Sequence, residues 1–334
     1  MSQRTKRKRR IALQIAAITA IATLVGCATA QKVGGVHASS GSQAKTLSYL
    51  STIDKERMGS ASPVKAFIAG KDINDLNRPT AIGIRGNTMY IADAGVGVIF
   101  RYNLSTKQLK PLLRAGDLIV GEVTDIYVNS DFSFFAADNL GKQVFHFSPS
   151  GGLIKVYSDE PNVSRPIAVS FDEKSGQLAV ADEFYSHIVF FDSAGKPIRG
   201  IGGRGEGNAK FRMITDMIQT SSGFYVSDRI EYAVQQLNKA GNYQTHFGDR
   251  EVIFPTALAM DKDGRIFVGD KSDSTIKVFK NGKLIDTVGK NGYGNGEFRY
   301  ISDMKLVEDT LYVVDSLNGR IQTFKVLSES GRKS

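Results

Sequence analysis

The chain has 334 residues, of which 41% are hydrophobic and 23% are charged, a balance typical of a folded protein and incompatible with disorder throughout. The formal net charge is +9, but six basic residues lie within the first ten positions, and the remainder holds 37 basic against 34 acidic residues. So small a surplus gives no reason to expect a nucleic-acid partner, which requires many basic side chains on one face. The single cysteine, Cys27, excludes a disulfide framework, a cysteine-based zinc site and an iron–sulfur cluster.

Residues 1–26 have the pattern of an export signal. The basic residues precede Ile11 to Val25, about fifteen mostly apolar residues, fewer than the roughly 20 that a bilayer-spanning helix needs. This run ends in Leu24-Val25-Gly26-Cys27, which resembles the lipobox of bacterial lipoproteins. The resemblance implies cleavage before Cys27 and attachment of acyl chains such as palmitate to that cysteine. The alternatives are an ordinary signal peptide with a chance cysteine, or a short anchor helix.

The lipobox resemblance also implies a location. Several acyl chains would hold the mature protein on a membrane. In lipoproteins of Gram-negative bacteria, a residue other than Asp after the cysteine, here Ala28, usually accompanies transfer to the outer membrane of the cell envelope. Residues 27–61 are rich in Gly, Ser, Ala and Gln, and we expect them to form a flexible tether with a span of about 30 Å.

The rest of the chain contains six copies of one pattern. An Asp closes a short apolar run every 42 to 46 residues, and six residues after each Asp there is a β-branched aliphatic side chain. Three residues before the Asp, the position is aromatic in five copies, with Ala179 as the exception. The six strand-end Asp residues are Asp93, Asp138, Asp182, Asp228, Asp270 and Asp315. Because they recur in every copy, we expect them to be architectural and to accept hydrogen bonds from loop backbone N–H groups.

Within each copy, short apolar alternations separated by turns such as Asp263-Gly264 predict four strands and no sustained helix. Units of this size predict an all-β fold, a six-bladed β-propeller with four-stranded antiparallel blades, over residues 62–327. The last copy lacks a fourth strand, and we expect the apolar run Val64 to Ala69 to supply it and close the ring. Residues 328–334 remain as a tail.

The segment from Tyr312 to Ile321 resembles the core of an NHL repeat, as do the glycine-rich stretches Gly202 to Phe211 and Gly289 to Phe298. The resemblance implies a six-bladed propeller and covers almost the whole predicted domain. It does not determine a function, because this family includes scaffolds, ligand and RNA binders, and a few metal-dependent enzymes.

A second pattern concerns the channel at the ring centre. At the third residue of each predicted inner strand, Ala in blades one, three and five alternates with Asp125, Asp216 and Asp303 in blades two, four and six. We expect these carboxylates to form a pseudo-threefold set near one mouth, either pairing with arginines and capping backbone donors beside the small Ala, or holding a cation or polar ligand. The basic residues predicted on the same face are Arg78, Arg165, Arg212, Arg299, Arg229, Lys271 and Arg320.

The sequence contains no nucleophile motif and no histidine cluster, since His146, His187 and His246 occupy unrelated positions of their blades. We therefore expect a monomeric, non-catalytic binding or scaffold module for a protein or polysaccharide in the envelope, such as a polysaccharide-export or electron-transfer assembly. No resident cofactor is expected, apart from a divalent cation in the channel under the alternative. That alternative is a metal-dependent lyase or hydrolase that uses the channel carboxylates.

Overall fold

A computed structural model describes residues 46–54, 75–114 and 122–328, which form six four-stranded antiparallel sheets arranged as the blades of a β-propeller. The all-β, six-bladed prediction is confirmed. Besides strands, the described ranges contain one short 3₁₀ turn, Ser316–Asn318. No helix within these ranges is long and apolar enough to cross a membrane. Cys27 and the predicted signal segment lie outside the described residues.

Each blade is a meander whose first strand lies innermost. The first three blades consist of β2 (Pro79–Arg85), β3 (Thr88–Asp93), β4 (Val98–Asn103) and β5 (Gln108–Arg114); β6 (Val123–Val128), β7 (Phe134–Asp138), β8 (Gln143–Phe147) and β9 (Leu153–Tyr157); and β10 (Pro166–Asp172), β11 (Gln177–Asp182), β12 (His187–Phe191) and β13 (Pro197–Gly202). The last three consist of β14 (Ile214–Gln219), β15 (Gly223–Asp228), β16 (Ala233–Asn238) and β17 (Tyr243–Phe247); β18 (Pro255–Met260), β19 (Ile266–Asp270), β20 (Thr275–Lys280) and β21 (Lys283–Val288); and β22 (Ile301–Val307), β23 (Thr310–Asp315) and β24 (Arg320–Val326) with β1 (Leu47–Ile53).

An N-terminal strand closes the ring, but it is not the predicted one. The outermost strand of blade six is β1, which pairs antiparallel with β24 from Leu47 opposite Val326 to Ile53 opposite Ile321. The prediction for Val64 to Ala69 is wrong in that β1 holds this place, and residues 64–69 themselves lie outside the described ranges. The propeller thus extends into the predicted tether, residues 27–61.

The closing strand escaped the sequence pattern because it contains more hydroxyl than apolar side chains. A β-bulge between Tyr49 and Ser51 interrupts its alternation. Hydroxyl contacts add to the apolar contacts of Leu47 and Ile53. Ser51 Oγ lies 2.7 Å from Thr323 Oγ1, and directly before the strand the Thr46 hydroxyl donates to Asp286 Oδ2 at 2.8 Å. A strand with so many hydroxyl side chains resembles a linker in its sequence.

The hydrophobic core is divided among the blade interfaces. Six clusters of buried side chains each join two neighbouring blades, including the pair formed by blades six and one. The aromatic position three residues before the strand-end Asp contributes to this packing, as Tyr90 and Phe267 show by being fully buried. Because each blade packs only against its neighbours, closure of the ring is needed to cover both faces of blade six.

The strand-end Asp residues have the architectural role predicted for them. Asp182 Oδ2 accepts the N–H groups of Ser164 and Arg165 at 2.7 and 2.6 Å, while its Oδ1 accepts that of Tyr185 at 2.7 Å. The other five carboxylates accept N–H groups before the inner strand and, in four of them, also after their own strand. In blade six, Asp315 instead bonds the side chains of Asn318 and Arg320. Each carboxylate thereby fixes two loops on the same face of the ring.

Leu47→Ala in the full chain tests the closing strand. Leu47 is 3% exposed within the cluster shared by blades five and six, and its truncation should lower the free energy of unfolding by about 2–4 kcal/mol. Leu50 lies on the same strand but is 50% exposed, so Leu50→Ala should change stability by no more than about 0.5 kcal/mol. Chemical denaturation of both variants measures the difference. Equal effects would contradict the assignment of residues 47–53 as the closing strand.

Candidate functional site

All six inner strands contain a β-bulge at the same point. The register shifts between the first and third residues of each inner strand, so the second residue has no partner on the neighbouring strand. In five blades this extra residue carries a hydroxyl group. The six residues that line the channel at this level are Thr80, Thr124, Ile167, Thr215, Thr256 and Ser302.

These hydroxyl groups have different partners. Thr80 Oγ1 donates across to the Val123 carbonyl of the next blade at 2.6 Å, and Thr124 Oγ1 donates to the Pro166 carbonyl at 3.1 Å. Thr215 Oγ1 lies 2.9 Å from Ser227 Oγ. Ser302 Oγ is buried and has no hydrogen-bond partner among the described residues. Thr256 Oγ1 donates to the Gly269 carbonyl at 3.2 Å. The bulge level therefore leaves one hydroxyl without a partner among the described residues.

Above the bulges, two residues of each blade approach the mouth: the residue before the inner strand and the residue after the strand-end Asp. A backbone hydrogen bond of about 3 Å joins the two. In blade order the pairs are Arg78 with Ala94, Glu122 with Asn139, Arg165 with Glu183, Met213 with Arg229, Phe254 with Lys271, and Tyr300 with Ser316. The strand-end Asp residues thus set the positions of the mouth residues through the loops they fix.

The mouth opens into a cavity of about 440 Å³ whose two sides differ in charge. On the side of blades two and three, Glu122 and Glu183 line it. On the side of blades four to six, Arg229, Lys271 and two aromatic rings line it, and the Arg229 guanidinium lies 4.6 Å from the centroid of Phe254. The cavity therefore has a cationic and aromatic wall opposite a wall whose glutamates are ion-paired, Glu122 with Arg78 and Glu183 with Arg165.

The three predicted channel carboxylates lie together at the floor of this cavity, and each caps a backbone N–H group of the next blade. Asp125 accepts from Val169 at 2.7 Å, Asp216 from Leu258 at 2.6 Å and Asp303 from Ile82 at 2.8 Å. Each donor directly follows the small residue of the neighbouring strand, namely Ala168, Ala257 or Ala81. This is the arrangement of the first alternative, in which Ala leaves room for the carboxylate beside it.

The cation of the carboxylate set belongs to the chain itself. Lys305 Nζ lies 2.7 Å from Asp125 Oδ1 and 2.9 Å from Asp303 Oδ1. It also lines a second cavity of about 300 Å³ that continues towards the other end of the channel. Burial alone would lower the pKa of Lys305, but the carboxylates of Asp125, Asp303 and Asp216 outweigh it and hold that pKa above its ordinary value.

Burial lowers the pKa of a lysine but raises the pKa of a carboxyl group, and two of the channel carboxyl groups show this effect. Burial raises the pKa of Asp216 to about 8 and that of Asp303 to about 6, although Lys305 opposes both shifts. Asp303 contacts the ammonium directly, whereas the Asp216 oxygens accept N–H groups from Leu258 and Met217. Of the two, Asp216 is the carboxyl group whose protonated form burial favours more.

The structure brings six of the predicted site residues into one cavity, namely Asp125, Asp216, Asp303, Arg78, Arg229 and Lys271. Three others lie on the same face outside it: Arg165 pairs with Glu183, Arg212 with Glu206 and Glu231, and the Arg299 guanidinium lies over the Tyr293 ring. In blades four and six the mouth positions belong to Met213 and Tyr300, one residue after the predicted arginines. This one-residue displacement explains why Arg212 and Arg299 lie outside the cavity.

The placement of Arg320 in the mouth was wrong. Its guanidinium is buried, donates to Asp315 at 2.9 Å and also donates to the carbonyl groups of Tyr293, Gly294 and Glu297. It fixes the loop before β22. Predicted lipidation at Cys27 lies outside the described residues.

Sequence reasoning missed Lys305, Phe254 and Tyr300, for which the repeat carries a signal. At the inner-strand position of Lys305, the other blades have Gly83, Tyr127, Ser170, Ile218 and Ala259. Lys305 is therefore the one charged residue among the six blades at this position, which indicates that the channel wall of blade six differs from the others. Phe254 and Tyr300 occupy the position of Arg78 and Arg165, directly before the inner strand, and were missed because only basic residues were considered there.

The described residues contain no group of three or more His, Cys, Asp or Glu side chains placed to hold a metal ion. The carboxylates that the alternative function requires instead bond backbone N–H groups and Lys305. A divalent ion would meet the ammonium at the position it would have to occupy. The residues present therefore do not fit a channel metal site.

Asp216→Asn tests the unusual protonation of this site. Because the pKa of Asp216 in the folded protein, about 8, lies above its ordinary value of 3.8, its contribution to stability is complete below 3.8 and is lost as the pH rises through the folded pKa. In thermal melts, the melting temperature of the variant relative to that of the wild type should increase as the pH rises from about 4 to about 9. The side-chain amide of the variant also faces the Met217 N–H, which lowers the stability of the variant by an amount that does not depend on pH. A stability difference that stays constant over this range would contradict the assignment.

Comparisons with known proteins agree with the fold. Residues 255–330 match a family described as a six-bladed β-propeller, which is less than half of the chain. No curated protein matches the sequence significantly. A structural genomics protein of unknown function from Bacteroides thetaiotaomicron VPI-5482 is similar in structure, with a TM-score of 0.59, 13% identity, and coverage of 75% of this chain and 70% of its own.

Two structures titled as lyases are similar as well. A streptogramin B lyase superposes with a TM-score of 0.60 at 10% identity and covers 84% of this chain and 98% of its own. The virginiamycin B lyase from Staphylococcus aureus gives 0.56 at 13% identity and covers 75% and 95%. At these identities the likeness concerns the fold alone. The six blades of this chain agree with the family model that matches residues 255–330.

Proposed function

We propose that this chain is an envelope lipoprotein, anchored to a membrane through Cys27, whose NHL-like propeller is a non-catalytic module that binds a protein partner over the mouth of its channel. The anchoring part rests on the resemblance of Leu24 to Cys27 to a lipobox. The binding part rests on the side chains that the mouth face exposes.

The observation that carries the binding proposal is a set of exposed apolar side chains around a polar mouth. Six large apolar side chains in loops of the mouth face are between 45% and 71% exposed. On an ordinary protein surface, exposed apolar residues occur singly. The six residues of the mouth face are Leu140, Phe184, Tyr232, Ile253, Tyr293 and Leu317. Apolar and aromatic groups around a few charged ones are typical of protein interfaces.

The channel floor supports binding rather than metal-assisted catalysis. Lys305 contacts Asp125 and Asp303 and offsets one of their two negative charges, and all three channel carboxylates accept backbone hydrogen bonds. A Lewis-acid mechanism would need those oxygens for a metal ion. The remaining cavity is shaped as a recess that can receive a side chain of a docked partner.

Cys27→Ser tests the anchor. Without the thiol no thioether-linked lipid can form, so the variant should keep its signal segment and lose acyl labelling. Intact-mass analysis and radiolabelled palmitate incorporation in the native host measure both properties, with wild-type protein as the control. A variant that is still cleaved before residue 27 and still partitions with membranes would refute the lipoprotein assignment.

Site-specific photocrosslinking tests the docking face. A photoreactive amino acid at Leu317, which is 51% exposed at the mouth, should give one reproducible protein adduct in intact cells. The matched control is Phe132, which is 39% exposed on the hairpin between β6 and β7 at the opposite face. Equal adducts from the two positions, or a glycan adduct at Leu317, would contradict a protein partner at the mouth.

A further inference from the structure

The cationic wall of the mouth is built around one aromatic ring. Arg229 and Lys271 lie over Phe254, at 4.6 and 5.0 Å from its centroid, and Lys271 is also 5.0 Å from the centroid of Tyr300. Both cations directly follow strand-end Asp residues, and their own N–H groups bond the backbone of the loop before the inner strand. The two positive groups therefore have fixed positions on neighbouring blades.

These two cations differ in their partners from Arg78 and Arg165, the basic residues directly before the inner strands of blades one and three. Arg78 pairs with Glu122 at 3.5 Å and Arg165 with Glu183 at 3.9 Å. For Arg229 and Lys271, no carboxylate of the described ranges lies within salt-bridge distance, and their charged groups contact aromatic rings instead. An aromatic ring orients a cation without neutralising it. The positive charge of this wall is thus available to an anion in the cavity.

A further polar group on the same cavity lacks a partner. Ser302 Oγ is buried at the bulge of blade six, two residues after Tyr300 in the chain. Ser302 lines the same cavity, and its Oγ has no hydrogen-bond partner among the described residues. Buried polar atoms are normally hydrogen-bonded, and an unpaired one needs an explanation. A ligand oxygen that enters the cavity can supply the missing bond.

We infer that Arg229, Lys271 and Ser302 form a carboxylate subsite, which receives an acidic side chain or C-terminal carboxylate of the protein partner. The inference rests on the proposed docking function and names the chemical group that the mouth recognises. Two cations over one ring allow a carboxylate to accept from both, and charge-assisted bonds of this kind are the stronger ones. The apolar side chains around the mouth favour an acidic peptide over an acidic sugar, because they match a protein surface.

The test uses fluorescein-labelled hexaglutamate as the probe and fluorescence polarisation with the full chain in detergent micelles. Wild-type protein should bind hexaglutamate and not labelled hexaglutamine. The double variant Arg229→Gln with Lys271→Gln should weaken binding at least about tenfold. Arg165→Gln should change binding less than about twofold, because this arginine lies outside the cavity and is already paired with Glu183.

Further arms separate folding effects and other ligands. The charge-conserving exchange Arg229→Lys with Lys271→Arg should retain measurable binding, and thermal melts should show the same melting temperature for both double variants and the wild type. Equal binding by the glutamine variant, or tighter binding of hexagalacturonate than of hexaglutamate, would overturn the acidic-peptide assignment. A Leu317 adduct that persists while hexaglutamate fails to bind would refute the subsite and leave the docking function standing.

Discussion

Three carboxylates inside the channel bridge three of the six blade boundaries by accepting backbone N–H groups of the next blade. Asp125, Asp216 and Asp303 each reach from an even-numbered blade to the next inner strand, where an alanine leaves room. Inner strands are edge strands on their channel side, so their unpaired N–H groups need such acceptors. Three buried carboxylates would repel one another, and Lys305 relieves this repulsion by contacting two of them. The arrangement of the mouth depends on this compensated floor.

Hydrogen bonds from backbone N–H groups to carboxylates also determine which side chains lie at the mouth. Strand-end Asp residues fix the loops above the bulges, and these loops carry the mouth residues in equivalent pairs. The backbone is repeated in every blade, but the side chains of the mouth pairs differ from blade to blade. These side chains therefore determine the chemistry of the site. Blades four to six contribute cations and aromatic rings, whereas blades two and three contribute carboxylates. A repeated fold thereby presents a polarised recess, which suits recognition of one oriented partner group.

The sequence predicted the fold and the three carboxylates because both follow from a repeat, in which equivalent positions can be compared across six copies. It failed where a residue departs from the repeat or where the apolar pattern is weak. The closing strand Leu47–Ile53 has many hydroxyl groups and a bulge, and therefore resembles a linker. Lys305 is a single substitution at one position, and only the fold shows that it lies between Asp125 and Asp303. Arg320 has the spacing of a mouth residue, but its guanidinium is buried among loop carbonyl groups.

The central claim is that Lys305 is the resident cation of the channel carboxylates, so that their oxygens are not free to hold a metal ion. Metal analysis of the purified full chain, followed by calorimetric titration with Ca²⁺, Mn²⁺ and Mg²⁺, tests this claim most directly. The account predicts no stoichiometric divalent metal after purification and no saturable heat on titration. It also predicts that Asp125→Asn leaves both results unchanged, because Lys305 still contacts Asp303. One divalent ion per chain in the wild type, lost in Asp125→Asn, would contradict the account and favour a metal-dependent enzyme.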